Sequence, residues 1–141
     1  MIAVDTNVLV YAHRVELPQH ARARRRLTAL AEGTARWAIP VFCLGEFLRV
    51  ITHPRLFDPP FTTDEACEAL TRILRSPSVV ILLPGDRFWP LLRQEVTGAD
   101  AVGNLVFDAQ IAALCLEVGV STLLTEDRDF ARFDNLSTSR L

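Results

Sequence analysis

The chain has 141 residues, of which half are hydrophobic, and a formal net charge of −2. This length predicts one domain, residues 1–141, with a sizeable hydrophobic core. The net charge excludes attraction to nucleic acid by overall positive charge, so any such contact depends on a local patch or a metal ion.

Short apolar runs alternate with longer amphipathic ones in the N-terminal half. The pattern predicts a strand over 2–4, helices over 7–13 and 19–31, a strand over 37–39, and a helix over 41–52 that stops before Pro54. A loop with three prolines follows at 53–61. Thr62 and Glu65 then predict a capping box at the start of a helix that reaches residue 75.

The same alternation continues in the C-terminal half. It predicts a strand over 78–83, a helix over 87–97, a loop over 98–103, a helix over 105–118 ended by Gly119, a strand over 122–124 and a short fifth strand over 136–138. Alternating strands and helices predict a doubly wound α/β fold. It would have three layers, with a central, mostly parallel, twisted sheet of four to five short strands flanked by helices.

Residue usage bears on chemistry and on location. All 15 basic residues are arginines, so no mechanism that needs a lysine is available. Cys43, Cys67 and Cys115 are far apart within apolar helical patterns, which predicts reduced, buried thiols in an intracellular protein. With no visible signal peptide and no apolar run long enough to span a membrane, the expected location is the cytoplasm. The indoles of Trp37 and Trp89 are predicted to lie in the core.

Asp5 directly follows the first predicted strand, in the stretch MIAVDTNVLVYA. Open α/β sheets bind ligands in the crevice outside the carboxyl ends of their strands. A buried carboxylate there needs donors, a counter-charge or a metal. Asp is also a favoured N-cap residue, so this position alone leaves a helix cap and a functional site equally open.

Four further carboxylates have unusual sequence contexts. Glu46 and Asp108 lie in helical patterns whose same-face neighbours are mainly apolar, and Asp127 and Asp129 follow the fourth predicted strand as Asp5 follows the first. Taken singly, the first two fit an amphipathic helix edge and Asp127 fits a turn or cap. Taken together, they direct several carboxylates toward one edge of the sheet.

Convergence of these groups would create an electrostatic conflict. Two carboxylates about 4 Å apart repel by ~4 kcal/mol at an effective dielectric constant near 20. A proton or a hard divalent cation removes that conflict, and all-oxygen ligands suit Mg²⁺ or Mn²⁺ better than Zn²⁺. Such an ion supports phosphodiester hydrolysis, because it neutralises the phosphate and acidifies the attacking water.

Four stretches of the chain resemble the acidic motifs of PIN-domain ribonucleases of the VapC toxin type. They are DTNVLVYA, the helix around Glu46, FDAQIAALC and LLTEDRDF. They occur in that family's order and together span nearly the whole chain from Asp5 onward. The resemblance implies a PIN-like fold and a metal-dependent endoribonuclease of a toxin–antitoxin pair, inhibited by a cognate antitoxin. It further implies a homodimer, and cleavage of single-stranded segments of RNA.

The resemblance also implies residue roles. Asp5 and Asp108 would be the principal ligands of Mg²⁺, with Mn²⁺ as a possible substitute. Glu46, Asp127 and Asp129 would complete the acidic cluster as secondary or water-mediated ligands, and Asp5, Glu46, Asp108 and Asp127 would form the catalytic set. Thr6 and Asn7 would orient this cluster.

Three other classes share part of the pattern. Receiver domains and haloacid-dehalogenase-like phosphatases also place Asp after the first strand. Both use a lysine, which is absent, and the phosphatases need a second Asp where Asn7 stands. A nucleotide-binding module would need a glycine-rich phosphate loop, which is also absent. A non-catalytic interaction protein on the same fold stays open on sequence alone.

The arginine-rich run Ala21–Leu27 is most simply a solvated helix face. Beside an acidic centre, such arginines would also be suited to holding the phosphates of an RNA substrate. The sequence does not choose between these two roles for Arg22, Arg24, Arg25 and Arg26.

Overall fold

The computed structural model describes all of residues 1–141, and a sheet of five short parallel strands lies at its centre. The strands are β1 (Ile2–Val4), β2 (Trp37–Pro40), β3 (Val79–Leu82), β4 (Thr122–Leu124) and β5 (Thr138–Ser139). Every pairing is parallel, and the spatial order is β3-β2-β1-β4-β5. The predicted α/β fold with a central parallel sheet is therefore confirmed.

Six α-helices and one 3₁₀ helix flank or follow the strands. They are α1 (Thr6–His13), α2 (His20–Glu32), α3 (Val41–Ile51), α4 (Thr63–Leu74), α5 (Phe88–Gly98), α6 (Leu105–Val118) and the 3₁₀ helix Arg128–Arg132. In the first half α2 packs on α1, α1 on α3 and α3 on α4, whereas α5 pairs with α6. None of these helices combines the length and the apolar character needed to cross a bilayer.

Two predicted helix ends are present in the structure. The side chain of Thr62 accepts a hydrogen bond from the backbone N–H of Glu65, and the Glu65 side chain accepts one from the N–H of Thr62, which completes the capping box. Gly119 ends α6 at φ 75°, in the left-handed region that glycine adopts without steric cost.

The core packs large side chains between the sheet and the helices. Trp37, Phe47, Phe130 and Phe133 are among the largest side chains that are fully buried. The indole N–H of Trp37 donates to Ser78 Oγ at 3.2 Å, so the one polar group of this ring is satisfied inside the core.

Three local expectations are corrected by the structure. Cys67 is exposed, because α4 buries the stripe that contains Ala66 and Leu70, and Cys67 falls outside it. Trp89 is 68% exposed in the first turn of α5, beyond the edge strand β3. The fifth strand begins later than predicted, because the backbone N–H of Leu136 donates to the Phe133 carbonyl in a local turn.

The strand order of the sheet reverses between β1 and β4. From β1 the chain adds β2 and β3 on one side, and later adds β4 and β5 on the other. Val4 pairs with Leu124, and the Asp5 N–H donates to the Leu124 carbonyl at 3.0 Å. Asp5 and Thr125 therefore leave the sheet side by side, at the switch point where doubly wound sheets open a crevice.

Arg14 holds the proline loop between α3 and α4 next to this crevice. Its guanidinium carbon lies 4.4 Å from the centroid of the Phe57 ring and 5.5 Å from that of Phe61, and Nη1 donates to the Pro59 carbonyl at 3.0 Å. Arg14 is buried and also pairs with Glu16. These contacts fix Phe57 as one wall of the pocket described below.

Candidate acidic active site

Asp5 is both a helix cap and a buried site residue. It is the N-cap of α1, and its Oδ1 accepts the backbone N–H of Thr6 at 2.7 Å. Only 4% of its surface is exposed. The two readings that the sequence left open are thus compatible, because the cap uses one carboxylate oxygen and the second oxygen points to other partners.

Those other partners are Thr125 and Asn7. Thr125 Oγ1 and Asn7 Nδ2 each donate to Asp5 Oδ2 at 2.7 Å. Thr125 Oγ1 in turn accepts from Asn7 Nδ2 at 3.1 Å and from the backbone N–H of Asp127 at 3.0 Å. This network fixes the orientation of the Asp5 carboxylate and ties the segment after β1 to the segment after β4.

Thr6 connects Asp5 to the third helix. While its N–H caps onto Asp5, its hydroxyl donates to Glu46 Oε2 at 2.6 Å. Glu46 Oε1 has only a long contact with Arg49 Nη2, at 3.6 Å, and both of these side chains are substantially exposed. One oxygen of Glu46 is therefore held by Thr6, and the other has only the long contact with Arg49.

Three further carboxylates converge most closely. One oxygen each of Asp108, Asp127 and Asp129 lies within 4.8 Å of the others. Asp108 projects from α6, whereas Asp127 caps the 3₁₀ helix by accepting the N–H of Asp129 at 2.8 Å. As with Asp5, the capping role and the place in the cluster coexist.

The charges of the cluster oppose one another. Burial, chiefly, raises the pKa of Asp5 to about 7, against hydrogen bonds from Thr125 and Thr6 that lower it, and the charges of Glu46 and Asp127 raise it further. Burial likewise raises the pKa of Asp108 to about 7, with added repulsion from the neighbouring carboxylates. No arginine forms an ion pair with any of the four aspartates. The four aspartates thus concentrate negative charge without an ion pair, and the only arginine contact in the cluster is the long one between Arg49 and Glu46.

The carboxylates lie where two pockets meet. A cleft of about 700 Å³ opens between α3 and α6, and a smaller pocket of about 320 Å³ is bordered by α1 and the proline loop. Glu46, Asp108 and Asp127 line both, and Asp5 lines the smaller one. A chain-like ligand could therefore cross the acidic centre with a recess on either side.

The donor set fits a hard divalent cation. Mg²⁺ binds oxygen at about 2.0–2.1 Å, so oxygens on opposite sides of the ion are roughly 4 Å apart. The oxygens of Asp108, Asp127 and Asp129 lie within 4.8 Å of one another, which small side-chain rotations can adjust. The cluster contains no histidine or cysteine, which favours Mg²⁺ or Mn²⁺ over Zn²⁺.

The structure places all five predicted acidic residues at this one edge of the sheet. Asp5, Glu46, Asp108 and Asp127 share a pocket, and Asp129 joins from the neighbouring cleft. The sequence also predicted that Thr6 and Asn7 orient the cluster, and both donate to its carboxylates. Thr125 was not identified from sequence, although it follows β4 just as Asp5 follows β1, and that equivalence is the signal that marks it.

Comparisons with known proteins agree with this fold. The PIN domain family model matches residues 2–136. The chain is 42% identical over 136 residues to ribonuclease VapC43 of Mycobacterium tuberculosis, which covers 96% of this chain and 92% of the relative.

Solved structures are similar in fold at lower identity. VapBC2 of Rickettsia felis, bound to a DNA fragment from its promoter, superposes with a TM-score of 0.68 at 21% identity, over 99% of this chain and 98% of that one. VapC20 of Mycobacterium tuberculosis, described as a toxin that cleaves the sarcin-ricin loop, superposes with a TM-score of 0.69 at 18% identity, over 93% of both chains.

Proposed function

The chain belongs to the PIN domain family, and on that premise we propose that it is a ribonuclease that hydrolyses RNA phosphodiester bonds as the toxin of a toxin–antitoxin pair. The observation that carries this proposal is the set of four carboxylates that line one pocket at the switch point of the sheet without an arginine paired to any of the aspartates. A divalent cation would neutralise such a centre, and a cation at that place suits an anionic phosphodiester.

Asp5 and Asp108 are the principal candidates to hold Mg²⁺ or Mn²⁺. Burial and neighbouring charges raise the pKa of both and so disfavour their ionised forms, which a bound cation would stabilise. Asp127 and Asp129 lie close enough to Asp108 to act as secondary ligands. When bound, the ion would offset the charge of the phosphate and increase the acidity of nearby water.

Glu46 is the candidate general base. The Thr6 hydroxyl holds its Oε2, and because Glu46 lines the pocket, its Oε1 would accept a proton from the attacking water. The oxygen of that water forms a new bond to phosphorus as the ester P–O bond breaks, and the leaving ester oxygen takes up a proton. Thr125 and Asn7 contribute by keeping the Asp5 carboxylate in one orientation.

The proposed partners follow from the same role. The RNA substrate crosses the acidic centre, and a cognate antitoxin protein inhibits cleavage by covering it. A ribonuclease that acts on cellular RNA is expected to work in the cytoplasm.

Purified protein, free of any antitoxin, is expected to cut RNA in the presence of Mg²⁺ or Mn²⁺ and to stop when EDTA is added. Cleavage is followed on total RNA by gel and by sequencing of the new ends, and excess Mg²⁺ added after EDTA should restore it. Undiminished cleavage in excess EDTA, in a preparation shown to lack other nucleases, would contradict the metal mechanism. Complete inactivity with either ion would favour the non-catalytic interaction protein.

We also propose a homodimer that uses the exposed edge strand. Ile81 in β3 and Leu83 directly after it are 39% and 64% exposed at an edge of the sheet, and Trp89 in the first turn of α5 is 68% exposed. Apolar groups at an unpaired edge favour association with another chain. Light scattering across a concentration series is expected to show a dimer for the parent and a monomer for Leu83→Glu. A parent that stays monomeric at tens of micromolar, on the order of the concentrations where weak dimers form, would contradict this assembly.

A further inference from the structure

The wall of the larger cleft formed by α6 carries an exposed aromatic ring beside the acidic centre. One face of this helix lines the cleft with residues at the helical spacing i, i+3, i+4 and i+7. They are Asn104, Phe107, Asp108 and Ile111. Phe107 is 60% exposed and forms no aromatic pair with another side chain. Most of this ring therefore contributes nothing to the core, although it stands next to Asp108.

The same cleft contains hydrogen-bonding groups that the protein itself leaves unused. The side-chain amides of Asn104 and Gln110 line the same cleft and donate to no protein group. An amide offers both a donor and an acceptor, which is the combination that the edges of unpaired bases require. Arg49 is 64% exposed at the opposite wall, and its nearest carboxylate contact, to Glu46, is 3.6 Å long.

The opposite wall, formed by α3, is kept open by a glycine. Residues with the same spacing along α3 line this side of the cleft. They are Phe42, Gly45, Glu46 and Arg49. A side chain at Gly45 would meet no atom within 4 Å, so packing does not demand glycine there. A glycine inside a helix costs stability relative to alanine. The helix therefore bears this cost at a position that lines the cleft, where a side chain would take up some of its space.

We propose that this cleft is a nucleobase subsite, in which an unpaired base of the RNA next to the scissile phosphate stacks on Phe107 and hydrogen-bonds to Asn104 or Gln110. This inference rests on the proposed ribonuclease function. Stacking on an exposed aromatic ring and hydrogen bonds to amides are the usual means by which proteins bind single-stranded bases. The cleft volume of about 700 Å³ is within the range of ligand pockets.

The first test uses a pool of short single-stranded RNAs of randomised sequence, cut in Mg²⁺ and sequenced at the new ends. Phe107→Ala is expected to lower kcat/KM roughly 5- to 100-fold, mainly through KM, since base stacking contributes that much to binding. It should also weaken the base preference at one fixed position relative to the cut. Phe107→Trp should retain activity and preference, and Phe107→Leu should resemble Phe107→Ala, because leucine has no π-face. Val118→Ala, an exposed apolar position at the far end of α6, is the matched control and should behave as the parent.

The second test fills the cleft from the other side. Gly45→Leu is expected to raise or preserve Tm, because leucine is a better helix former, and to lower kcat/KM by on the order of tenfold by occupying the base site. Gly98→Leu is the matched control, since Gly98 is also in a helix with open space around it and lies outside the cleft. It should keep full activity.

Each outcome has a definite meaning. An active parent with Phe107→Ala and Gly45→Leu equal to it in kcat/KM and base preference would overturn the subsite alone. A Phe107→Ala protein that changes only its inhibition by antitoxin would assign the cleft to that protein and overturn the subsite as well. A parent that cuts no RNA would contradict the proposed function, and the subsite with it.

Discussion

Asp108→Asn is expected to reduce RNA cleavage by on the order of 10³-fold while the protein stays folded, because it removes a charge that the reaction needs in a preorganised site. The side chain of Asp108 is aimed at the cluster and receives no hydrogen bond from the protein. The amide has the same shape as the carboxylate, so no donor loses its acceptor. Activity and folding are thereby separated at this position.

Asp5→Asn should lose activity to a similar extent but also lose stability. Three donors, from Thr6, Asn7 and Thr125, point at its two carboxylate oxygens. An amide at position 5 would turn an N–H group toward one of these donors, and an unsatisfied buried group costs about 1–3 kcal/mol. The pair of variants thus distinguishes a ligand held by a hydrogen-bond network from one that is not.

The control for both variants is Asp134→Asn, which changes the same charge at an exposed position outside both pockets. Initial rates on one RNA substrate at saturating Mg²⁺, with Tm and circular dichroism to check folding, provide the measurement. If Asp108→Asn kept most of the parent rate while Asp134→Asn behaved as the parent, Asp108 would have no essential role.

The metal-free protein is expected to become less stable as the pH rises from about 4 to about 8. The pKa values of Asp5 and Asp108 rise from 3.8 in the unfolded chain to about 7 in the fold. Between these values the folded state holds more protons than the unfolded state. Since stability increases with pH only where the unfolded state binds more protons, these two groups make stability fall over this interval.

Mg²⁺ should reverse this loss near pH 8. An ion that binds only the folded state at ten times its dissociation constant adds about 1.4 kcal/mol, which corresponds to a rise in Tm of roughly 3–6 °C for a domain of this size. The rise should shrink below pH 6, where both aspartates are largely protonated.

The Asp108→Asn variant tests how the negative charge of the cluster affects the stability of the fold. Its metal-free form should melt at the same temperature as the parent or higher at pH 8, because one repelling charge is gone, and its Tm should depend less on pH. Mg²⁺ should raise its Tm much less than that of the parent. Thermal melts in EDTA and in Mg²⁺ across this pH range test the prediction. Equal Mg²⁺ shifts in parent and variant would show that Asp108 does not hold the ion.

The sequence by itself determined the order of the elements and the class of the fold. The hydrophobic pattern and the end signals of an element lie in its own residues. The strand Ile2–Val4 and the helix Leu105–Val118 are examples, and the structure has both with the predicted bounds. The motifs around Asp5, Glu46, Asp108 and Asp127 also lie in the chain itself. The resemblance to PIN-domain ribonucleases drawn from them is confirmed by the family match and by the similarity to VapC ribonucleases.

Several local features could not be read from the sequence because they depend on which surface a neighbour covers. Cys67 and Trp89 have apolar sequence contexts, yet no element packs over them. The same dependence explains why a capping Asp and a site Asp looked like alternatives at positions 5 and 127. One carboxylate oxygen serves the helix and the rest of the group faces partners that are distant in sequence.

Only the tertiary structure decided how the site is assembled. Thr125 reaches Asp5 because β1 and β4 pair in parallel register, which brings residues 120 positions apart to one hydrogen bond. Phe107 and Gly45 face one cleft because α3 and α6 lie against each other. Sequence periodicity determines which residues share a helix face, but only packing in three dimensions determines what that face meets, and the charge, depth and width of the site depend on that packing.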